Sequence, residues 1–313
     1  MTESASAQPR ESLPLDSTAQ LLTRITAQLG TQLSHVSLNG TRRPPMHRTI
    51  RPAPGATTAP ALVAVAHGSR DPQALRTVVK LLDRVRELRP GLDVRLGHIE
   101  LNEPLLPSTL TGLGSGDAVL VPLLLGRGHH VKHDIPAAAA AAPALRTTIA
   151  APLGPHPLLV EALYGRLLEA GWPTDETVSG SSAVVLAAAG SRDPDSAADT
   201  RRTARMLSER LGGVPVVPAY ASAADPTVSA ATRALAARGR HRIAVASYFT
   251  APGRFATAAA AAAPGIAAAP LGAHPAMARL ILHRYDRAPA GQARSGAREA
   301  RESAVNGALL ASA

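Results

Sequence analysis

A phrase that occurs twice constrains this 313-residue chain more than any other feature. Its first copy, Val63-Ala64-Val65-Ala66-His67-Gly68-Ser69-Arg70-Asp71-Pro72, is an apolar run that stops at a histidine and a polar turn. The run reads as a buried strand that delivers His67 to a loop. Asp71 is placed to accept free backbone N–H groups as an N-cap, and the fixed φ of Pro72 suits the first helical position, so a helix starts there. The second copy, Val184-Val185-Leu186-Ala187-Ala188-Ala189-Gly190-Ser191-Arg192-Asp193-Pro194, repeats the strand, the turn and the helix start, with Ala189 where the first has His67. This is a duplicated unit in which one copy keeps its chemical group.

Around each phrase, short apolar runs alternate with helical stretches. Strands are predicted to end at Ala66 and to run over 93–99, 118–125 and 147–150, with helices over 72–89, 104–110, 135–142 and 157–170. In the second half the strands are 183–188, 215–220, 242–248 and a weak one at 265–268, with helices beginning near Pro194, Thr227, Arg254 and Pro275. The phrase Ala-Pro-Leu-Gly-x-His-Pro closes both halves, at 151–157 and 269–275. Right-handed β-α crossovers make each half a four-stranded parallel sheet flanked by helices. The expectation is an α/β protein of two similar lobes facing across a cleft. The domains are a largely disordered extension over 1–59, a first lobe over 60–172, a second over 183–286 and a disordered tail over 287–313. Within the extension, Leu22, Ile25, Leu29 and Leu33 fall at helical spacing, so a short amphipathic helix is expected over 18–33, with a proline-rich extended linker after it.

The absence of cysteine excludes disulfides, thiolate catalysis and cysteine-ligated iron–sulfur clusters, so metal chemistry must use histidine and carboxylate. The net charge of +10 suggests an anionic partner, yet much of it sits in the tails, at Arg42, Arg43, Arg48, Arg51, Arg294, Arg298 and Arg301 among others. With 2% aromatic residues there is no interleaving of bases and rings for stacking nucleotides, so no nucleic-acid partner is expected. No apolar run reaches the roughly 20 residues needed to cross a bilayer, and the N-terminus has no basic head followed by an apolar core. A cytoplasmic protein without a membrane partner, monomeric or homodimeric, is the expectation.

Ligands of parallel α/β sheets bind outside the carboxyl ends of the strands. The first strand ends at His67, the second leads through His98 to Glu100 and Glu103, and the third precedes Gly126-Arg127-Gly128-His129-His130-Val131-Lys132-His133-Asp134. Imidazoles and carboxylates are therefore expected on one rim. Imidazole suits iron, cobalt, nickel and zinc, and an incomplete ligand shell with open positions is what a site that hands metal onward requires. His129 and His133 flank this rim either as auxiliary ligands or as ordinary loop histidines. His156 and His274 each precede a helix-starting proline and read as structural.

His67-Gly-Ser-Arg-Asp-Pro, then His98-Ile-Glu100-Leu-Asn-Glu103-Pro104, then Val-Pro-Leu-Leu-Leu ahead of His130-Val-Lys-His-Asp134-Ile-Pro136 together resemble the sirohydrochlorin chelatase family of class II tetrapyrrole chelatases. The resemblance covers about 61–285. It implies insertion of a divalent metal into sirohydrochlorin, with Fe2+ for sirohaem favoured and Co2+ for cobalamin as the alternative. A non-catalytic carrier of metal or tetrapyrrole on the same frame is the competing reading. By the resemblance, His67 and His130 bind the metal and Glu100 is the acidic catalytic residue. The metal is substrate, and no tightly bound cofactor is implied. Arg70, Arg127, Lys132 and Arg254 are the expected partners of the substrate's peripheral carboxylates, since a guanidinium fork matches carboxylate geometry. In the second lobe Ala189 replaces the first histidine, Ser222 stands opposite Glu100 and Arg254 falls at about the place of His130, so a second catalytic centre is not expected there.

Overall fold

A computed structural model describes residues 59–173 and 180–288. The expected N-terminal helix, the linker and the tail beyond 288 lie outside the described residues. The first half runs β1 (Ala61–Ala66), α1 (Pro72–Leu88), β2 (Val94–His98), α2 (Leu106–Leu113), β3 (Gly116–Pro122), α3 (Ile135–Ala140), β4 (Leu145–Ile149) and α4 (Pro157–Glu169). The second runs β5 (Ser182–Ala188), α5 (Pro194–Arg210), β6 (Val216–Tyr220), α6 (Val228–Ala236), β7 (Arg242–Ser247), α7 (Arg254–Ala261), β8 (Ile266–Ala267) and a last helix, α8, over 275–288. All strand pairings are parallel, in the orders β2-β1-β3-β4 and β6-β5-β7-β8. The last helix thus extends past the boundary expected at 286, because Ala288 is buried in the core. Among the described residues no helix is long and apolar enough to cross a membrane.

The repeated turn does what its residues dictate. Asp71 accepts from the Gln73 N–H at 2.8 Å and Asp193 from the Asp195 N–H at 3.0 Å, each followed by proline at the first helical position. The apolar positions of α1, namely Ala74, Val78, Leu81, Leu82 and Val85, fall on one face and are buried. Along the central strands, alternate residues go to different cores. Leu62, Ala64 and Ala66 of β1 join Val184, Leu186 and Ala188 of β5 in one cluster that runs through both lobes. Val63 and Val65 instead pack on α2 and α3, and Ala183, Val185 and Ala187 pack on α6 and α7. Burial on both faces is the reason the strands read as near-continuous apolar runs.

Two lobes facing across a cleft are the expectation from the repeat; along the shared face the structure has a continuous core instead. The contacts across it come in matched pairs. Tyr248 donates to the Leu125 carbonyl at 2.8 Å while Thr250 donates to that of Leu123 at 3.0 Å. Arg166 donates to the Leu271 carbonyl at 2.9 Å, and Arg284 to that of Leu153 at 3.1 Å. Leu153 and Leu271 occupy the same position of the repeated Ala-Pro-Leu-Gly phrase, so the lobes meet as two copies around an internal two-fold axis.

The two histidines of that phrase act as helix caps. The Nδ1 of His156 accepts from the Leu158 N–H at 3.1 Å, and the Nδ1 of His274 from the Ala276 N–H at 3.2 Å. An imidazole can accept this bond only when neutral. Burial, with Arg284 and His283 nearby, lowers His156 to about 4; burial, with Arg166 facing it, also lowers His274. A depressed imidazole contributes stability that is complete above its unfolded value of 6.5 and is lost as pH falls through the folded value. For His156 the window is therefore 6.5 down to about 4. Asparagine caps without titrating. Thermal unfolding of His156→Asn between pH 7 and 4.5 is expected to show a smaller fall in midpoint than the parent chain; equal falls would contradict the capping role.

Candidate metal centre

β1 and β3 are neighbours, with Val65 opposite Pro122, so the loops that leave the two strands emerge side by side. This brings together two imidazoles that are far apart in the sequence. The rings of His67 and His130 meet edge to face, 4.7 Å between centroids and 86° between planes. Their side chains are 43% and 34% exposed, open to solvent yet held at one rim. β2 flanks β1 on the other side, and the chain beyond it carries Glu100, whose Oε1 lies 3.6 Å from His67 Nε2. All three residues expected to carry the chemistry therefore converge.

The backbone explains why the loop has these residues. The Glu100 N–H donates to the His67 carbonyl at 3.0 Å, continuing the β1–β2 pairing past the strand ends. Gly68 has φ of 104°, and a Cβ on it would stand 1.8 Å from the Glu100 carbonyl oxygen, so only glycine lets the two loops close this far. Asn102 accepts from the Ser69 N–H at 2.7 Å and fixes the other side of the turn. The second lobe repeats the close approach: a Cβ on Gly190, at φ of 92°, would lie 1.8 Å from the Ser222 carbonyl oxygen. Ala189 and Ser222 are thus the counterparts of His67 and Glu100, as the repeat suggests.

His130 opens a π-helical turn, His130–Asp134, that runs straight into α3. The stretch between Leu125 and Ile135 reads as a loop in the sequence; wide turns of this kind occur within helices, often at functional sites. Four residues apart, His130 and Asp134 face each other, and the Asp134 carboxylate stands 2.5 Å from His130 Nδ1. The carboxylate holds the ring proton on Nδ1 and leaves the Nε2 lone pair for a metal, the carboxylate–histidine arrangement of metal sites. Asp134 lies in the motif but has no role assigned from sequence; the signal that identifies it is the spacing to His130. Among the described residues no three histidine or acidic side chains already form a ligand-ready cluster. Two imidazoles with open positions beside them can take an ion and release it. Asp134→Ala is expected to weaken Co2+ binding at His130 by 10- to 100-fold, with Asp134→Asn, whose carbonyl still accepts from Nδ1, retaining most of it. Titration of Co2+ followed by visible absorbance checks this.

The four expected cations divide into two pairs. Arg127 reaches into the second lobe: its Nε and Nη2 donate to Asp199 at 3.0 and 2.8 Å, and its backbone N–H to the same carboxylate at 2.9 Å. Lys132 sits between Asp193 and Asp195, at 2.7 and 3.0 Å. These cations secure the histidine-bearing turn to α5. Arg70 is exposed and makes no ion pair among the described residues. Arg254 is exposed with its guanidinium 5.6 Å from the Phe255 ring, and the preceding Gly253 lies against Ser69 of the His67 loop. The register moves Arg254 by one position from its expected place. The Leu123 N–H bonds the Val65 carbonyl as that of Tyr248 bonds Ala187, and Lys132 bonds back to Gly128 as Thr257 does to Gly253. Phe255 therefore matches His130, and Arg254 matches His129.

Comparison with known proteins agrees with this architecture. The CbiX family model matches residues 61–170 and again 183–288. A sirohydrochlorin ferrochelatase of Bacillus subtilis is 30% identical over 173 residues, 53% of this chain and 64% of that protein. A sirohydrochlorin cobaltochelatase of Priestia megaterium is 26% identical over 193 residues, 59% of this chain and 62% of that protein. The matched stretches thus span a little under two thirds of these relatives' length. In three dimensions the chain is similar to SirB from Bacillus subtilis with Fe3+, at a TM-score of 0.61 and 24% identity, covering 74% of this chain and 96% of that one. It is also similar to SirB from Bacillus subtilis subspecies spizizenii in complex with cobalt, at a TM-score of 0.59 and 23% identity. With both lobes matched by the same model and the same fold found across nearly the whole of those structures, this chain belongs to the CbiX family.

Proposed function

We propose that this protein is a sirohydrochlorin chelatase that inserts a divalent metal into the macrocycle, with Fe2+ the favoured ion and Co2+ the alternative. The observation that carries this is the His67–His130 pair, 4.7 Å between ring centroids, with the Glu100 carboxylate 3.6 Å from His67. The names of the relatives, a ferrochelatase and a cobaltochelatase, support the substrate class and leave both metals in play.

Insertion strips water from the cation and removes two pyrrole protons. The Nε2 atoms of His67 and His130 replace part of the water shell, and the missing further ligands leave one face of the ion to the incoming ring. Glu100, beside the His67 imidazole, accepts a pyrrole proton and passes it to solvent, since its side chain is 52% exposed. Arg70 and Arg254 meet the substrate's peripheral carboxylates, because neither is committed to an ion pair among the described residues. Arg127 and Lys132 hold the His130 turn in place through α5.

The test is the visible absorbance of sirohydrochlorin under anaerobic conditions with Fe2+ or Co2+ in turn. Many product molecules per chain are expected. A change that stops at one equivalent would identify a carrier and overturn the enzymatic reading.

A further inference from the structure

We propose that His129 and His133 form a second, outer binding site for the divalent ion, beside the His67–His130 pair. The two residues stand four apart on the π turn and its approach, and their rings lie 4.6 Å apart at 38°. That spacing puts both imidazoles on one face of the chain, as metal-binding histidine pairs on helices require. His129 is 73% exposed and His133 is also exposed, so the rings can turn to aim a nitrogen each at one ion.

Asp134 joins the outer pair to the inner one. Its Oδ2 is the atom 2.5 Å from His130 Nδ1, and its Oδ1 lies 3.8 Å from His129 Nε2. The imidazoles succeed one another without a gap: His133 to His129 at 4.6 Å, His129 to His130 at 6.3 Å, and His130 to His67 at 4.7 Å. The outer His129 is 73% exposed, against 34% at His130 and 43% at His67. Ions that accept imidazole, Fe2+, Co2+, Ni2+ and Zn2+ alike, would be held here by two nitrogens with water completing the shell. Such a shell binds weakly enough to release the ion inward. The second lobe has Arg254 and Ala258 at the corresponding positions, so the outer pair accompanies the lobe that has the inner pair. The inward direction of transfer rests on the chelatase reading; the outer site itself does not.

The experiment counts Co2+ bound per full-length chain by equilibrium dialysis, with no tetrapyrrole present. Three proteins are compared: the parent chain, His129→Ala/His133→Ala and His67→Ala/His130→Ala. Loss of one ion per chain in the His129/His133 variant, with the His67/His130 variant losing a different one, is the expected result. Equal binding by the parent chain and the His129/His133 variant would overturn the outer site. If the His129/His133 variant loses an ion and the His67/His130 variant loses none, the outer site stands and the chelatase reading falls. Unfolding midpoints confirm that each variant is folded, and the exposed positions of the outer pair predict no shift in midpoint for the His129/His133 variant.

Discussion

On the chelatase reading, His67→Ala and His130→Ala are each expected to abolish metal insertion, with a loss exceeding the roughly 100-fold that removal of an outer-shell partner produces. Folding is expected to survive because neither ring is part of a core: the side chains are 43% and 34% exposed, and the His67 ring's contacts are with other residues of the open rim, Glu100 at 3.6 Å and His130, besides the adjacent Gly68 carbonyl at 3.3 Å. Each substitution removes half of the two-nitrogen hold on the ion, which one imidazole with a weak carboxylate neighbour does not replace. Glu100→Gln leaves the proposed histidine ligands in place and removes the proposed proton acceptor, so its expected loss falls within the 10²- to 10⁴-fold range of general-base catalysis. Rates with saturating Co2+, read beside thermal unfolding, check the set. Turnover retained in either histidine variant would contradict the assignment.

Arg127→Leu destabilises the protein by about 2–3 kcal/mol. Asp199 is 3% exposed and receives three hydrogen bonds from residue 127, two of them from the guanidinium. Burial alone pushes the Asp199 carboxyl up, but the bonds from Arg127 outweigh it and hold the group below the usual carboxylate range. Its contribution to stability is therefore present above the ordinary value of 3.8 and is lost only as pH falls through the lower folded value. Without the guanidinium the carboxylate is buried with one backbone donor, and a buried charge deprived of its partner carries a cost of this size. The pH response reverses as well. With its pKa raised by burial, Asp199 in the variant is most destabilising when ionised, so the defect shrinks as pH is lowered toward 4. Arg127→Leu/Asp199→Leu recovers most of the stability. Urea unfolding of the two single variants and the double variant reads the coupling directly, and additive effects would contradict it.

Much of this architecture is legible in the residues because it depends on local rules. Asp71-Pro72 and Asp193-Pro194 announce helix starts through capping chemistry that needs no knowledge of the fold. The apolar runs before them can only be buried strands, and parallel connection then places His67, Glu100 and His130 at neighbouring strand ends. What the chain hides is decided by partners distant in sequence. Arg127 and Lys132 read as substrate cations because their carboxylates, Asp199, Asp193 and Asp195, belong to the other lobe. The expected cleft closes for the same reason: alternate side chains of β1 and β5 are apolar on both faces, which says that each sheet is covered but not that the cover is shared. The π turn at His130 has no composition of its own. Within it Asp134 comes onto the His130 imidazole, a contact that the loop-like composition of the stretch does not announce.

The central claim, that His67 and His130 share one ion, is tested most directly by anomalous diffraction at the cobalt edge from crystals of the full chain grown with Co2+. The expected result is an anomalous peak about 2.1 Å from a ring nitrogen of each histidine, with Glu100 beside it. Cobalt bound to one of these rings alone, or found only at other residues, would contradict it.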